Sequence, residues 1–206
     1  MSFFKTIWGK ISDTVGRPVR IDASTHAIET IGYAHHEVHA GSAFTCHYNN
    51  SVTNIGEMTA IAFNTPDTTK WGHVVAQYFS SGAAYFAVYE NPSIDVDEGT
   101  QLTIYNRNRN SATASTMSSI EAAPVANKAT SYDETQAAGA NITTTVEIER
   151  RYIGAGDKKS VGGGARGEEE FILDQGNQYI FMLVSLTADD AIHNITLDWY
   201  EHTDKN

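Results

Sequence analysis

QYIFMLVSL at 178–186 and IHNITLDWYE at 192–201 are two β-rich runs parted only by the polar cluster TADDA at 187–191. Each is short, rich in β-branched and aromatic residues, and bounded by turn formers, which is the pattern of a strand. Connections between strands of this kind are too short for helical crossovers, so antiparallel pairing is expected through the chain. Working back toward the N-terminus, the same two-residue period recurs between clusters of Gly, Asn, Asp and Pro. Further strands are expected at 19–22, 37–48, 57–64, 73–79, 85–90, 101–105, 143–153 and 169–173. So many short strands with so little helix predict an all-β chain, an antiparallel β-sandwich of jelly-roll-like form.

Residues 107–140 are rich in Asn, Ser, Thr and Ala, and 160–167 carry Gly162, Gly163 and Gly164. Both read as exposed loops, and long loops in compact domains tend to be functional or interfacial. One helix signal stands out, because Phe3, Phe4, Ile7, Trp8, Ile11 and Val15 recur at three- and four-residue spacings before Gly16 and Pro18. The expected organisation is an amphipathic N-terminal helix or arm at 1–16 and a single sandwich domain at 17–206. A helix of that length is marginal alone, so its apolar side must dock either on its own domain or on a neighbouring subunit.

Composition narrows the function classes. The chain has 206 residues, 41% hydrophobic and 19% charged, with a formal net charge of −11. That suits a single globular domain. Its charge opposes nucleic acid and anionic lipid and favours basic partner surfaces. A single cysteine, Cys46, excludes an intrachain disulfide and a multi-cysteine zinc site. No apolar run approaches the length of about 20 residues that crosses a bilayer as a helix. Lys5 and Lys10 interrupt the apolar N-terminal stretch, so no signal peptide is expected and the mature chain is expected to begin at or beside Met1.

Candidate chemistry is sparse. On a strand, His35, Glu37 and His39 would share one face, and two imidazoles with a carboxylate can hold zinc, iron or manganese. A cupin-like site would need a further ligand, with His47, His73 and His193 available; otherwise the cluster is a hydrogen-bonding, half-buried surface. The structural reading is preferred, with no cofactor. No Gly-x-Ser-x-Gly elbow is present, Cys46 lies within a strand pattern, and no Lys-Ser or Lys-Thr pair follows Gly162 to Gly164, so no catalytic residue is assigned. Glu168, Glu169 and Glu170 read as a solvated turn. Arg107 and Arg109, interleaved with asparagines after Tyr105, neutralise too few phosphates to read nucleic acid. They suit a protein interface instead. The Asn-x-Ser/Thr triplets at Asn49, Asn141 and Asn194 read as chance matches.

Several blocks taken together resemble a family of tailed-bacteriophage virion structural proteins. They are RPVRIDA at 17–23, HHEVHAGS at 35–42, NTPDTTKW at 64–71, YNRNRNS at 105–111, EEFIL at 169–173 and WYEH at 199–202. The resemblance implies a non-enzymatic capsid decoration or cement protein that stabilises the assembled head, made in the host cytoplasm and carried in the virion. Its implied partners are the major capsid protein or other virion proteins, with no nucleic acid and no membrane. A trimer is expected, since symmetric association covers exposed sheet edges. Partner contacts are expected from Phe4, Ile7, Trp8 and Ile11 of the helix and from Arg107 and Arg109. A tail or head-fibre component binding carbohydrate through Trp71, Tyr105 and Trp199 is the alternative, and a cupin-type metal-dependent enzyme a further one.

Overall fold

A computed structural model of the chain describes residues 8–10, 16–18, 33–67, 69–92, 100–117, 128–132, 146–154, 161–164 and 170–203. Over 8–10, 16–18, 33–34, 128–132 and 161–164 it describes the backbone path alone. The chain divides into two compact units, Met1–His36 and Glu37–Asn206.

In the first unit, β1 (Trp8–Lys10) pairs antiparallel with β2 (Gly16–Pro18), Trp8 opposite Pro18 and Lys10 opposite Gly16. The apolar spacing predicts helix here, and the finding corrects that at Trp8. Gly9 costs a helix about 1 kcal/mol relative to alanine, and the segment is rich in β-branched Thr, Ile and Val, which favour extended backbone. Phe4, Ile7 and Ile11 lie outside the described residues, as does the expected strand at 19–22.

The helix of the described chain is instead α1 (Tyr33–Ala40). Gly41 ends it with a φ of 75°. Its N–H donates to the Val38 carbonyl at 3.1 Å and the Ser42 N–H to the Glu37 carbonyl at 3.0 Å, the two bonds of a Schellman cap. A side chain at 41 would also collide with the Ser111 side chain. The expected strand at 37–48 therefore begins only after this cap.

The second unit holds β3 (Ala43–Val52), β4 (Met58–Asn64), β5 (Lys70–Ser80), β6 (Ala84–Glu90), β7 (Thr100–Thr103), β8 (Tyr105–Asn106) and β9 (Lys128–Tyr132). It continues with β10 (Val146–Ile153), β11 (Val161–Gly164), β12 (Phe171–Leu173), β13 (Gln178–Ser185) and β14 (Ala191–Thr203). Two six-stranded antiparallel sheets result. One runs β10-β6-β13-β4-β9-β7; the other runs β11-β5-β14-β3-β8, with β12 also on β5. Setting aside β7, β8 and β9, and counting β11 with β12 as one strand along β5, eight strands remain. Numbered one to eight in chain order, they form sheets ordered 1-8-3-6 and 2-7-4-5. That interleaving is the double Greek key of a jelly roll. Consecutive β13 and β14 thus lie in opposite sheets, each pairing with strands distant in sequence.

The loop expectations are corrected in two places. β11 contains Gly162, Gly163 and Gly164, paired with Phe79, Tyr78 and Gln77; ladder bonds use backbone groups alone, so a side-chain-free segment can form an edge strand. β9 lies within 107–140, where Thr130 and Ser131 face β4 and β7. Ser115 and Met117 of the same segment are buried.

Alternation is clearest on β14, where Ala191, His193, Ile195, Leu197, Trp199 and Glu201 are buried and the residues between them are not. The inward side chains meet those of the facing sheet in an aromatic core. Phe63 of β4 stacks on Phe181 at 5.7 Å and reaches Trp199 of the opposite sheet at 6.3 Å; Tyr78 of β5 stacks on Phe86 of β6 at 4.0 Å. Such pairs contribute about 1 kcal/mol each beyond their area. The β4, β6 and β13 sheet is apolar on its other face too, where Ala60, Ala62, Ala87, Ile180, Met182 and Val184 form a second buried cluster.

Candidate functional site

The histidine cluster does not form the face that strand geometry predicts. His35, Glu37 and His39 lie on α1, where residues two apart point away from each other. Glu37 is buried and its carboxylate accepts a hydrogen bond from Ser42 Oγ, while His35 and His39 are exposed. The three candidate partners are also dispersed: His47 is exposed on β3, His73 lies on β5, and His193 points into the core from β14. Among the described residues no three His, Cys, Asp or Glu side chains converge to hold a metal.

His193 has no exposed surface and its Nδ1 is hydrogen bonded to Thr59 Oγ1, 3.2 Å away on the opposite sheet. Burial drives its pKa down to about 4, against a smaller upward pull from Glu57. Cys46 is an interior thiol pushed up to about 12, first by burial and then by the Asp198 carboxylate. Neither state suits a nucleophile.

The arginine stretch is presented by an asparagine scaffold. Asn106 Nδ2 donates to the carbonyls of Gly41 and Thr113 at 2.8 and 2.9 Å, and Asn106 Oδ1 accepts from Asn108 N at 2.8 Å. Asn108 Nδ2 donates to the His39 carbonyl at 3.2 Å. These bonds fix the loop, leaving Arg107 and Arg109 exposed, the latter with its guanidinium 5.5 Å from the centre of the Tyr105 ring. Of the three aromatics considered for sugar binding, Tyr105 is exposed and Trp71 half-buried, but Trp199 is only 3% exposed. Its indole N–H donates to Glu201 at 3.0 Å, so Trp199 is corrected to a core residue. Glu201 also accepts from Thr116 N, pinning 115–117 onto β14.

Two features escape a reading by residue type. The first is the edge strand β10, joined along one side to β6, with a register irregularity between Glu147 and Glu149. Val146, Ile148 and Tyr152 are 50%, 41% and 70% exposed on it. Between them Glu147 pairs with Arg150 and Glu149 with Arg151. The Arg150 guanidinium covers the Tyr85 ring at 4.4 Å. The second is a group on the outward face of β5 and β14, where the register sets Tyr200 opposite His73 and His202 opposite Trp71. His73 stacks on Tyr200 at 4.7 Å and lies 4.4 Å from His202, ring centre to ring centre. Glu170 bonds both His73 Nδ1 and, at 2.7 Å, Tyr200 Oη. Ile172 of β12, opposite His73, completes a cleft with Trp71, His73 and His202.

No family model matches the chain, no curated protein matches it, and no solved structure matches it.

Proposed function

We propose that the chain is a non-enzymatic structural protein of a phage particle, a capsid decoration or cement protein that binds other virion proteins and stabilises the assembled head. Edge strand β10 carries the reading. An edge offers unpaired backbone donors and acceptors, and soluble monomers usually blunt it with charge. β10 has such charges and a register irregularity, but Val146, Ile148 and Tyr152 add exposed apolar area beside them, and the Glu147–Arg150 and Glu149–Arg151 pairs offer both signs of charge to set the register of an incoming strand. The jelly roll also serves lectins and cupins, so architecture alone does not choose among them. Support for the phage setting comes from the ordered sequence blocks that resemble virion proteins. The net charge of −11 favours a basic partner surface.

The test is to induce particles from the host that encodes the chain, separate them on a density gradient, and quantify the chain by mass spectrometry. It is expected to band with filled heads. Replacing Val146 and Tyr152 together by Asp should lower its occupancy at least tenfold, about 1.4 kcal/mol, with the fold retained by circular dichroism. A chain that stays at the top of the gradient, away from particles complete without it, would overturn the reading.

A further inference from the structure

We infer that β10 pairs antiparallel with β10 of a second copy of this chain, about a twofold axis through Arg150. That β10 receives a strand at all rests on the function proposed for the chain; the identity of that strand does not. Among the described residues the strands that end the two sheets are β10, β7, β11 and β8, and β10 spans eight residues where the others span four, four and two. β6 takes up one side of β10, and no other described strand pairs with it. An edge of that length offers a long row of backbone donors and acceptors to an incoming strand.

The residues of β10 select a copy of themselves. In VEIERRYI (146–153) two acids precede two bases, so the charge reverses about the middle of the strand and sums to zero. The register with β6 sets Glu149 opposite Val88 and Arg151 opposite Phe86, which places both on one face, where they form an ion pair. An antiparallel copy centred on Arg150 brings Glu149 opposite the partner's Arg151 and Arg151 opposite the partner's Glu149. Four charges of alternating sign result, and opposite charges directly across a ladder are favourable. The same register brings Ile148 level with the partner's Tyr152, so apolar side chains exposed on one copy gain cover from the other. Val146 comes level with the partner's Gly154, which is exposed and has open space where a Cβ would stand.

The unfavourable contact is Arg150 against the partner's Arg150 at the centre. Each guanidinium is paired with Glu147 of its own strand and lies over its own Tyr85 ring, so neither is an uncompensated charge. Parallel pairing in register would instead set like charge against like at every charged position. The net charge of −11 opposes self-association, but that repulsion is screened beyond about 8 Å at physiological salt, and the strand itself is neutral. A twofold closes with two copies and leaves neither β10 edge open, which gives a dimer in place of the trimer expected from edge covering in general. A two-copy unit would bind a particle bivalently, so breaking the β10 pair would still lower occupancy.

The experiment is analytical ultracentrifugation of the tag-free full chain from about 1 to 100 μM at neutral pH and physiological salt. A reversible monomer–dimer equilibrium is expected. Glu149→Arg and Arg151→Glu should each weaken it about tenfold or more, since each change turns both cross-strand pairs repulsive. An equimolar mixture of the two variants should recover the parent's affinity, because every contact between positions 149 and 151 then joins opposite charges. Circular dichroism checks the fold of each variant, and recovery on mixing cannot come from folding. A parent that stays monomeric, single variants that dimerise as the parent does, or a mixture that associates no better than its components would overturn the inference. Density-gradient banding of the same chains with particles separates this from the virion role. Banding without dimers leaves that role standing and removes the second copy from β10, whereas dimers without banding leave the β10 pair standing and remove the virion role.

Discussion

Acid should weaken the fold through His193 in a way that a single substitution removes. The ring is wholly buried, bonded to Thr59 through Nδ1, and its Nε2 has no hydrogen-bond partner among the described residues. Protonation would place a charge in the core with one donor unsatisfied, which explains a native pKa near 4 against an ordinary 6.5. The unfolded chain therefore binds a proton that the native chain refuses across that interval. Stability linked to His193 is fully present above pH 6.5 and is lost as the pH falls toward 4. A displacement of about 2.5 units corresponds to about 3 kcal/mol at pH 4, at 1.36 kcal/mol per unit. Carboxylates titrate in the same range, so the quantity to measure is a difference between proteins. Urea unfolding at pH 7 and pH 4 should show the parent losing about 3 kcal/mol more than His193→Gln, which can keep a bond to Thr59 without titrating. Equal losses in the two proteins would mean that the imidazolium is accommodated in the folded state and would refute the reasoning.

Two further outcomes follow from buried groups. Cys46, with its pKa pushed up to about 12, should not react with a thiol reagent in the native protein at pH 8, and labelling should track unfolding in urea; modification of the folded chain within minutes would contradict its placement. Glu201→Ala leaves the Trp199 indole N–H and Thr116 N without their acceptor and should cost about 3 kcal/mol in urea unfolding, with new protease cleavage near 113–117; an unchanged midpoint would show that the segment is held in some other way.

β5 and β14 were legible because they bury one face, which writes a two-residue period into the residues. β4, β6 and β13 are buried on both faces and were legible instead as short apolar runs between turn formers. Reading failed where pairing needs no side chains, as in the glycines of β11, and where a tertiary bond overrides composition. Ser115 and Met117 sit in an Asn-, Ser- and Thr-rich stretch, yet Glu201 holds that segment against β14. The helix failed in a different way: α1 has two adjacent histidines and little amphipathic pattern, whereas the stronger apolar spacing at Trp8 is strand.

The site residues show why chemistry was harder to read than architecture. His35, Glu37 and His39 drew notice by their nearness in sequence, but nearness predicts a shared face only once the element type is known. A helix turns a pattern meant for a strand into three divergent side chains. His73 and His202 are separated by more than half the chain, and only the ladder between β5 and β14 sets them side by side. Their neighbours contain a partial signal. On β14, Tyr200 and His202 fall on the opposite phase from buried Trp199 and Glu201, so they were bound to face outward wherever the strand lay. What no period encodes is the neighbouring strand. In a jelly roll that neighbour comes from a distant part of the chain, so paired imidazoles, like the apolar edge of β10, become visible only when the sheet order is known.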